Sequence, residues 1–380
     1  MALSPSLNEH FGALPDPRLN RTKRHKLIDI LVLAICAMVC GAEDFVAMAR
    51  FGRLKEEWFR ERLELPNGIP SHDTFNRVFG LIDPKAFREC FLTWIEAFRQ
   101  TLGTPDAEHY VLDGKTSRHT YSQAGAGDAL HLVSVWARKA GLVVGEQSVD
   151  EKSNEITAVP ALLHLLDLKG CLVSMDAMHC QKENTRIIVE AGGDYVLGLK
   201  GNQAGLQQAV EEFFEGSEQA DLPEFTYHRY QQLDKEHGRI ETRLYTLVDL
   251  RPQDMRWLDP KGEWTGLNGI GMVESRRQIG PKKTHETRYF ISSIRGSARR
   301  FAQATRGHWA IENSLHWVLD IAFREDECRV HAHHAPENLA ILRHIALNLL
   351  RQDNAAKCGI RNRRLSAGWD NRYLSQILAV

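Results

Sequence analysis

The stretch His109-Tyr110-Val111-Leu112-Asp113-Gly114-Lys115 predicts an apolar β-strand that ends on a carboxylate followed at once by a glycine. The same pattern recurs at 172–176, where an apolar run ends on Asp176 and a helical pattern follows. In open α/β sheets, functional groups gather at the carboxyl ends of the strands. Two aspartates at such ends indicate a metal site.

Each aspartate also has a simpler interpretation. Asp-Gly is a frequent hairpin turn, although the polar run 116–123 behind it lacks the alternating apolar residues of a second strand. Asp176 could cap the helix that follows it. Residue type alone leaves both alternatives open.

The composition indicates an intracellular protein that does not enter a membrane. With 380 residues, 43% of them hydrophobic, the chain can bury a large core in two or three structural units. Its seven cysteines lack regular spacing, which favours a reducing compartment over a disulfide framework. The longest apolar run, 27–41, contains Asp29 and is too short to span a bilayer.

The net charge of −1 hides an uneven distribution of charge along the chain. The run 18–26 carries five basic residues and no acid, and 343–373 carries seven basic residues against two aspartates. Between 211 and 224 there are six acids and no base. Basic ends around an acidic middle indicate particular surfaces that meet polyanions.

The N-terminal part, 1–104, is predicted to be helical. Four stretches have helical period, at 27–38, 43–63, 72–81 and 87–98. Ser71 suits the N-cap position of the third helix. The helices on either side of 67–70 could form a helix-turn-helix or an ordinary helical bundle.

Between 109 and 200 the pattern changes to alternating strands and helices. Strand-like runs fall at 110–112, 132–137, 142–149, 172–175 and 195–199. Helical patterns fall at 159–168 and 181–191. Three strands in succession, then helix, strand, helix and strand, predict a mixed α/β sheet of the ribonuclease H-like fold.

The remaining sequence predicts an insertion and two further helices. Residues 201–296 begin with an acidic helix and continue in alternating runs, which predict an antiparallel β-rich insertion. A long helix follows, because seven residues from Phe301 to Ala322 are spaced alternately three and four apart. A last helix is predicted at 337–350, and 351–380 is a basic C-terminal tail.

A third carboxylate, Glu312, lies at the edge of this apolar stripe, with His308 and His316 one turn away. It could form a buried ion pair with a protonated histidine, or bind metal together with Asp113 and Asp176. Two like charges ~4 Å apart repel by about 4 kcal/mol at an effective dielectric of 20. Three converging carboxylates therefore need protonation or a divalent cation, and oxygen ligands with open positions suit Mg²⁺.

Seven motifs occur in the order typical of bacterial insertion-sequence transposases of the DDE type, the group that includes the H-repeat-associated proteins. They are LDGKT (112–116), DEKSNEI (150–156), DAMHCQK (176–182), GDYVLGLKGNQ (193–203), HGR (237–239), YFISS (289–293) and HWAIEN (308–313). The chain resembles this family over nearly its whole length. The resemblance implies a helical DNA-end-binding domain at 1–104, a ribonuclease H-like catalytic domain at 105–350 with its insertion at about 201–296, and the tail at 351–380.

By this resemblance, Asp113, Asp176 and Glu312 are the metal-binding catalytic triad of a polynucleotidyl transferase. The family implies two Mg²⁺ ions, for which Mn²⁺ can substitute. It also implies cleavage of double-stranded DNA at the element's terminal repeats, joining of the 3′-hydroxyls to target DNA, a homodimer at least on DNA, and a cytoplasmic, nucleoid-associated location. The alternatives are a nuclease of the same fold without strand transfer, and a domesticated DNA-binding protein with a silent site.

The surroundings of the glutamate depart from the family pattern. Many relatives have tyrosine, arginine and lysine 7 before, 4 before and 7 after it, where this chain has Thr305, His308 and Leu319. His308 is the candidate to replace the arginine as a phosphate contact. Further candidate DNA contacts are Lys115, Lys200, Asn76, Arg77, Arg361, Arg363 and Arg364. The pair on the 72–81 helix is expected to discriminate element ends, and the tail arginines to contact phosphates of any sequence.

Overall fold

The computed structural model describes residues 5–102, 107–117, 129–149, 155–217, 222, 224–236, 238–353 and 356–378. Motif residues 150–154 and His237 lie outside this described part. The first helices are α1 (Pro5–Phe11), α2 (Leu27–Val39), α3 (Phe45–Leu54), α4 (Glu56–Arg60), α5 (His72–Leu81) and α6 (Pro84–Leu102). Nearly every residue of α2 is buried, so this helix forms the centre of the N-terminal part.

Helices α3 and α5 each begin at a side-chain cap. The Asp44 carboxylate accepts a hydrogen bond of 2.7 Å from the backbone N–H of Ala47 at the start of α3. Ser71 Oγ accepts one of 3.3 Å from the backbone N–H of Thr74 at the start of α5. Such caps satisfy backbone donors that have no partner within the helix. The prediction of Ser71 as the N-cap is confirmed.

The helix predicted at 43–63 is divided, because α3 ends at Leu54 and α4 ends at Arg60. The next helix, α5, begins only at His72. A helix-turn-helix has a turn of about three or four residues, so that alternative is wrong. Instead α3 packs against both α2 and α5, as in a helical bundle.

The middle of the chain forms a mixed sheet with two crossover helices. Its elements are β1 (His109–Thr116), β2 (His131–Ala137), β3 (Leu142–Val149), α7 (Glu155–Leu163), β4 (Leu172–Met175), α8 (Lys182–Glu190) and β5 (Asp194–Gly198). The strand order is β3-β2-β1-β4-β5. The β1–β2 and β2–β3 pairs are antiparallel, and the β1–β4 and β4–β5 pairs are parallel. This is the arrangement predicted from the sequence, so the ribonuclease H-like fold class is confirmed.

The first strand continues past Asp113 to Thr116, whereas the sequence predicts its end at Asp113. The extension pairs with β2, and Gly114 lies opposite Val133. The alternative of an Asp-Gly hairpin turn is therefore wrong. Most of the polar segment behind the strand, 118–128, lies outside the described residues.

The parallel pairing between β1 and β4 ends earlier, at Leu112 and Met175. Asp113 and Asp176 are therefore the next residues on two adjacent parallel strands, at the same edge of the sheet. Asp176 does not cap the following helix, because α8 begins at Lys182 after a separate turn. The strand register places the first two carboxylates side by side.

The insertion contains α9 (Ala204–Gly216), β6 (Thr226–Glu236), β7 (Arg239–Asp249), α10 (Met255–Leu258), β8 (Gly269–Ile279) and β9 (Lys282–Ser292). Its four strands pair antiparallel, as predicted. β9 also pairs antiparallel with β5, where Val196 lies opposite Ser292. Within the described residues, the insertion therefore extends the core sheet to nine strands.

The long helix predicted after the insertion consists of α11 (Ala298–Ile311) and α12 (Trp317–Phe323), joined by a π-helical turn at Glu312–His316. α11 packs against β1, β4 and β7. Gly307 permits this close approach, because a Cβ there would lie 2.5 Å from Cε1 of His109 on β1. The end of α11 thereby brings Glu312 to the edge where Asp113 lies.

The C-terminal segment is a packed pair of helices rather than the predicted tail. The last helices are α13 (Ala335–Arg351), α14 (Ile360–Trp369) and α15 (Asn371–Leu378). α14 packs against α2, α12 and α13, and α15 buries Leu374, Ile377 and Leu378. An apolar helix face needs such cover, and the basic composition does not reveal it.

Across the described helices, none is both long enough and apolar enough to cross a membrane.

Candidate active site

Three side chains that could bind a metal converge beyond the end of the β1–β4 pairing. Nδ1 of His316 lies 3.3 Å from Oε2 of Glu312 and 3.7 Å from Oδ2 of Asp113. One ligand atom from each residue lies within 4.8 Å of the other two. The Glu312 side chain is 66% exposed, so its contact with His316 is not the buried ion pair considered as an alternative.

Asp176 adds a third carboxylate from the neighbouring strand. Its Oδ1 accepts a hydrogen bond of 3.3 Å from the backbone N–H of the buried His179. Burial, together with the negative charges of Glu312 and Asp176, raises the pKa of Asp113 to about 7. The charges of Glu312 and Asp176 therefore oppose the ionisation of Asp113, as expected for acids that share a cation.

The donor set at this edge fits a divalent cation. Within the part of the chain that the structure describes, the ion-pair partners of Asp113, Asp176 and Glu312 are histidines and not lysines or arginines. Carboxylate oxygens suit Mg²⁺ and Mn²⁺, and an imidazole nitrogen suits the transition metals. A bound divalent ion would offset both the burial and the repulsion that raise the pKa of Asp113.

His308 lies near the carboxylates, but it does not supply the positive charge of the arginine that it was expected to replace. Burial lowers the pKa of His308 to about 4, although the negative charge of Asp176 opposes this. The ring is therefore neutral at pH 7, and only a hydrogen bond to a phosphate would remain open to it. His308 therefore cannot make the charge-assisted bidentate contact with a phosphate for which an arginine is suited.

Lys115 is engaged by acids of the protein itself. Its side chain is 14% exposed, and its ammonium group contacts Asp320, Glu325 at 2.8 Å and Asp326 at 3.9 Å. The predicted phosphate contact is therefore wrong for this conformation, because three carboxylates already surround the charge. The lysine instead links the end of β1 to α12 and to the segment that follows it.

The other predicted DNA contacts differ in their accessibility. Asn76 and Arg77 are exposed on α5, and Lys200 and Arg361 are exposed at the end of β5 and on α14. Two arginines of α14 donate their hydrogen bonds within the protein. Arg363 donates hydrogen bonds to the carbonyls of Leu350, Ala356 and Cys358. Arg364 lies on the buried face of α14. The predicted phosphate contact is wrong for Arg364, since no ligand reaches a side chain that is 3% exposed.

A histidine–carboxylate cluster beside the acids is not predicted from the sequence. Nε2 of His131 and Nε2 of His179 lie 2.6 and 3.1 Å from the two carboxylate oxygens of Glu155 at the start of α7. These contacts lower the pKa of Glu155 to about 2. Gly114 makes room for the cluster, because a Cβ there would lie 2.6 Å from Oε2 of Glu155. The glycine directly after Asp113 is the one sequence signal of this close approach.

We expect Glu155→Gln to lower the free energy of unfolding by roughly 2 kcal/mol at pH 7. The folded-state pKa of about 2 lies below the ordinary value of 4.5. The stabilisation is therefore present above pH 4.5 and is lost as the pH falls towards 2. Chemical denaturation of both proteins at pH 7, 5 and 3.5 measures the difference, which should shrink at the lowest pH. Glu190→Gln, which changes an exposed carboxylate, is the control, and a difference that is constant with pH would contradict the expectation.

Comparison with known proteins identifies the family. The family model described as "Transposase DDE domain" matches residues 104–349, and the one described as "DDE_Tnp_1-associated" matches 8–95. The chain is 40% identical over 377 residues to the "H repeat-associated putative transposase YhhI" of Escherichia coli K12, covering 98% of this chain and 97% of the relative. It is 37% identical over 377 residues to the "Putative transposase YncI" of Escherichia coli O157:H7, covering 98% and 94%. A solved piggyBac transposase synaptic complex with hairpin DNA aligns with 98% of this chain and 76% of that chain, at a TM-score of 0.38 and 10% identity.

The region matched by the DDE family model contains the sheet edge described above, with Asp113, Asp176 and Glu312. A domain of this family implies a metal-dependent nuclease or transposase activity. The resemblance inferred from the sequence motifs is thereby confirmed. Because the family model covers more than half of the chain and the relatives are similar over nearly all of it, the chain belongs to the transposases with a DDE domain.

Proposed function

We propose that the protein is the transposase of a bacterial insertion sequence, which cleaves DNA at the ends of its element and joins the 3′-hydroxyls to target DNA. The observation that carries the proposal is the meeting of Asp113 and Glu312, with Asp176 on the adjacent strand, in a chain of this family. These residues come from two strands and one helix. Only the folded chain assembles them.

The three acids are proposed to hold two Mg²⁺ ions, or Mn²⁺ in their place. When bound, the ions activate the attacking oxygen and stabilise the leaving oxygen of an in-line phosphoryl displacement. In cleavage the attacking oxygen comes from water, and the broken P–O bond releases a 3′-hydroxyl. In joining, that hydroxyl attacks a target phosphate, so one bond forms as another breaks. The chain contributes fixed positions, since the pairing of β1 with β4 holds Asp113 and Asp176 in register.

DNA recognition is proposed to be divided between the two parts of the chain. Residues 1–104 would recognise the element ends, with Asn76 and Arg77 exposed on α5 for base contacts. In the catalytic part at 105–350, the exposed Lys200 would contact phosphates, and Arg361 on α14 would add a second such contact. Phosphate contacts position the duplex but carry no sequence information.

A homodimer on DNA is part of the same proposal. Transposition must bring two element ends together, and each end needs a catalytic site. Two-fold dimers are the commonest closed assembly of soluble proteins. A dimer with one copy of the chain on each element end would hold the two ends together and give each end a catalytic site, through a single two-fold interface.

A joining assay tests the function. The full chain is incubated with a supercoiled plasmid, Mg²⁺ and a duplex that carries the inverted repeat flanking the coding region together with DNA beyond it. The duplex is labelled at the 5′ end of the strand whose cleavage yields the joining 3′-hydroxyl. We expect the label to become covalently attached to the plasmid, and EDTA to prevent this. Cleavage without joining would identify the nuclease alternative. Binding without cleavage would identify a DNA-binding protein with a silent site.

A further inference from the structure

The π-helical turn between α11 and α12 changes which side chains face the site. An uninterrupted α-helix would continue the buried stripe from Ile311 and Leu315 to Val318, as the sequence predicts. In the structure, Leu315 and His316 are both buried, and the next buried position is Leu319. The wider turn therefore directs His316 inward. Single π turns inside α-helices are frequent at functional sites.

Among the described residues, the polar partners of the His316 imidazole are the two carboxylates. Its side chain is 6% exposed, and Nδ1 is the atom that faces Oε2 of Glu312 and Oδ2 of Asp113. Within the described residues, its Nε2 is buried and has no hydrogen-bond partner. The hydrogen bond of the ring among these residues is that of Nδ1 with Oε2 of Glu312, at 3.3 Å. The ring is therefore positioned by the contacts of Nδ1 with the carboxylates of Glu312 and Asp113.

We propose that His316 is a third protein ligand of the metal ion bound by Asp113 and Glu312, with Nδ1 as the donor atom. This inference rests on the proposed metal-dependent function and deepens it, because it adds a nitrogen to a site otherwise made of carboxylate oxygens. One ligand atom of each of the three residues already lies within 4.8 Å of the others. Asp176 does not belong to this group within the described residues.

A nitrogen ligand changes which ion the site prefers. Mg²⁺ takes oxygen ligands and keeps several waters, whereas imidazole suits transition metals. The site is therefore expected to bind Mn²⁺ more tightly than Mg²⁺, and the difference is expected to depend on His316. Glu312 and Asp113 alone would bind the two ions more equally. The preference between the ions is thus a property of one side chain.

Mn²⁺ binding to the full chain, followed by the EPR signal of the free ion, tests the inference without any assay of activity. We expect His316→Gln to weaken Mn²⁺ binding at least about tenfold. The affinity for Mg²⁺, measured by displacement of Mn²⁺, should change less than about threefold. Pulsed EPR of bound Mn²⁺ should show ¹⁴N modulation in the wild type and lose it in the variant. Persistence of that modulation would overturn the inference.

Two further variants separate this inference from the proposed function. Asp113→Asn and Glu312→Gln should each weaken the binding of both ions. If they do so while His316→Gln binds Mn²⁺ as tightly as the wild type, His316 is not a ligand and the proposed function still stands. If all three variants bind Mn²⁺ like the wild type, both proposals fail. Thermal unfolding without metal checks that each variant folds, and His316→Asn replaces His316→Gln if the latter does not.

Discussion

Asp113→Asn is expected to reduce strand cleavage by about 10³-fold or more with Mg²⁺, while binding to element ends stays within about twofold. The substitution keeps the shape of the side chain and removes the negative charge that a shared cation needs. Asp113 is the single acid on β1, so no other carboxylate of this strand can take its place. Asp176→Asn and Glu312→Gln should give losses of similar size. Single-turnover cleavage of a labelled end, with gel-shift binding alongside, measures both quantities.

The matched control is Glu190→Gln, which makes the same chemical change on an exposed carboxylate of α8. It should leave both cleavage and binding unchanged. A triad variant that cleaves within tenfold of the wild type would remove that residue from the proposed site. A variant that loses end binding together with cleavage would instead point to a folding defect, which circular dichroism would reveal.

Arg364→Ala is expected to lower the free energy of unfolding by about 4 kcal/mol. The guanidinium donates to the backbone carbonyls of Met38 and Ala42, at 2.9 and 3.1 Å, and to that of Ala322. It also lies 4.2 Å from the centre of the Phe323 ring. Its removal would take a buried donor from three carbonyls, although that of Met38 keeps the N–H of Gly41 at 3.3 Å. It would also weaken the packing of α14 against α2 and α12. Urea denaturation followed by tryptophan fluorescence measures the loss.

Arg361→Ala is the matched control for this substitution. It changes the same residue type on the same helix, but the side chain is exposed. Its effect on stability should stay within about 0.5 kcal/mol. The proposed phosphate contact predicts that DNA binding of any sequence weakens instead. Equal stability of the two variants would show that the buried hydrogen bonds of Arg364 contribute little.

The strands of the core could be predicted from the sequence because their signal is local. Runs at 132–137, 142–149 and 172–175 match the observed β2, β3 and β4 to within one residue. Each run alternates or stays apolar over a few residues, and neighbouring glycines and polar segments mark its ends. Ser71 was predictable as an N-cap for the same reason, because a cap and its helix are adjacent in the chain.

The features that the sequence predicted wrongly or left open depend on partners distant in sequence. β1 runs to Thr116 because β2 supplies partners for its last residues. β9 joins the core sheet because β5 offers an unpaired edge. Helices α14 and α15 are packed because α14 meets α2, α12 and α13, and α15 meets α13 and α14. No local pattern in the sequence indicates which sheet edge a strand will pair with or which helices a helix will pack against.

The sequence by itself determined the order of the core elements, the ribonuclease H-like class and the family, since these follow from local periodicity and from short motifs in a fixed order. Only the tertiary structure decided what the charged and polar side chains do. Lys115 is bound by three acids, Arg364 is buried and His316 faces Asp113. The physical reason is that the energy of a charge depends on its solvation and on its nearest neighbours. Folding chooses those neighbours from parts of the chain that are far apart in sequence.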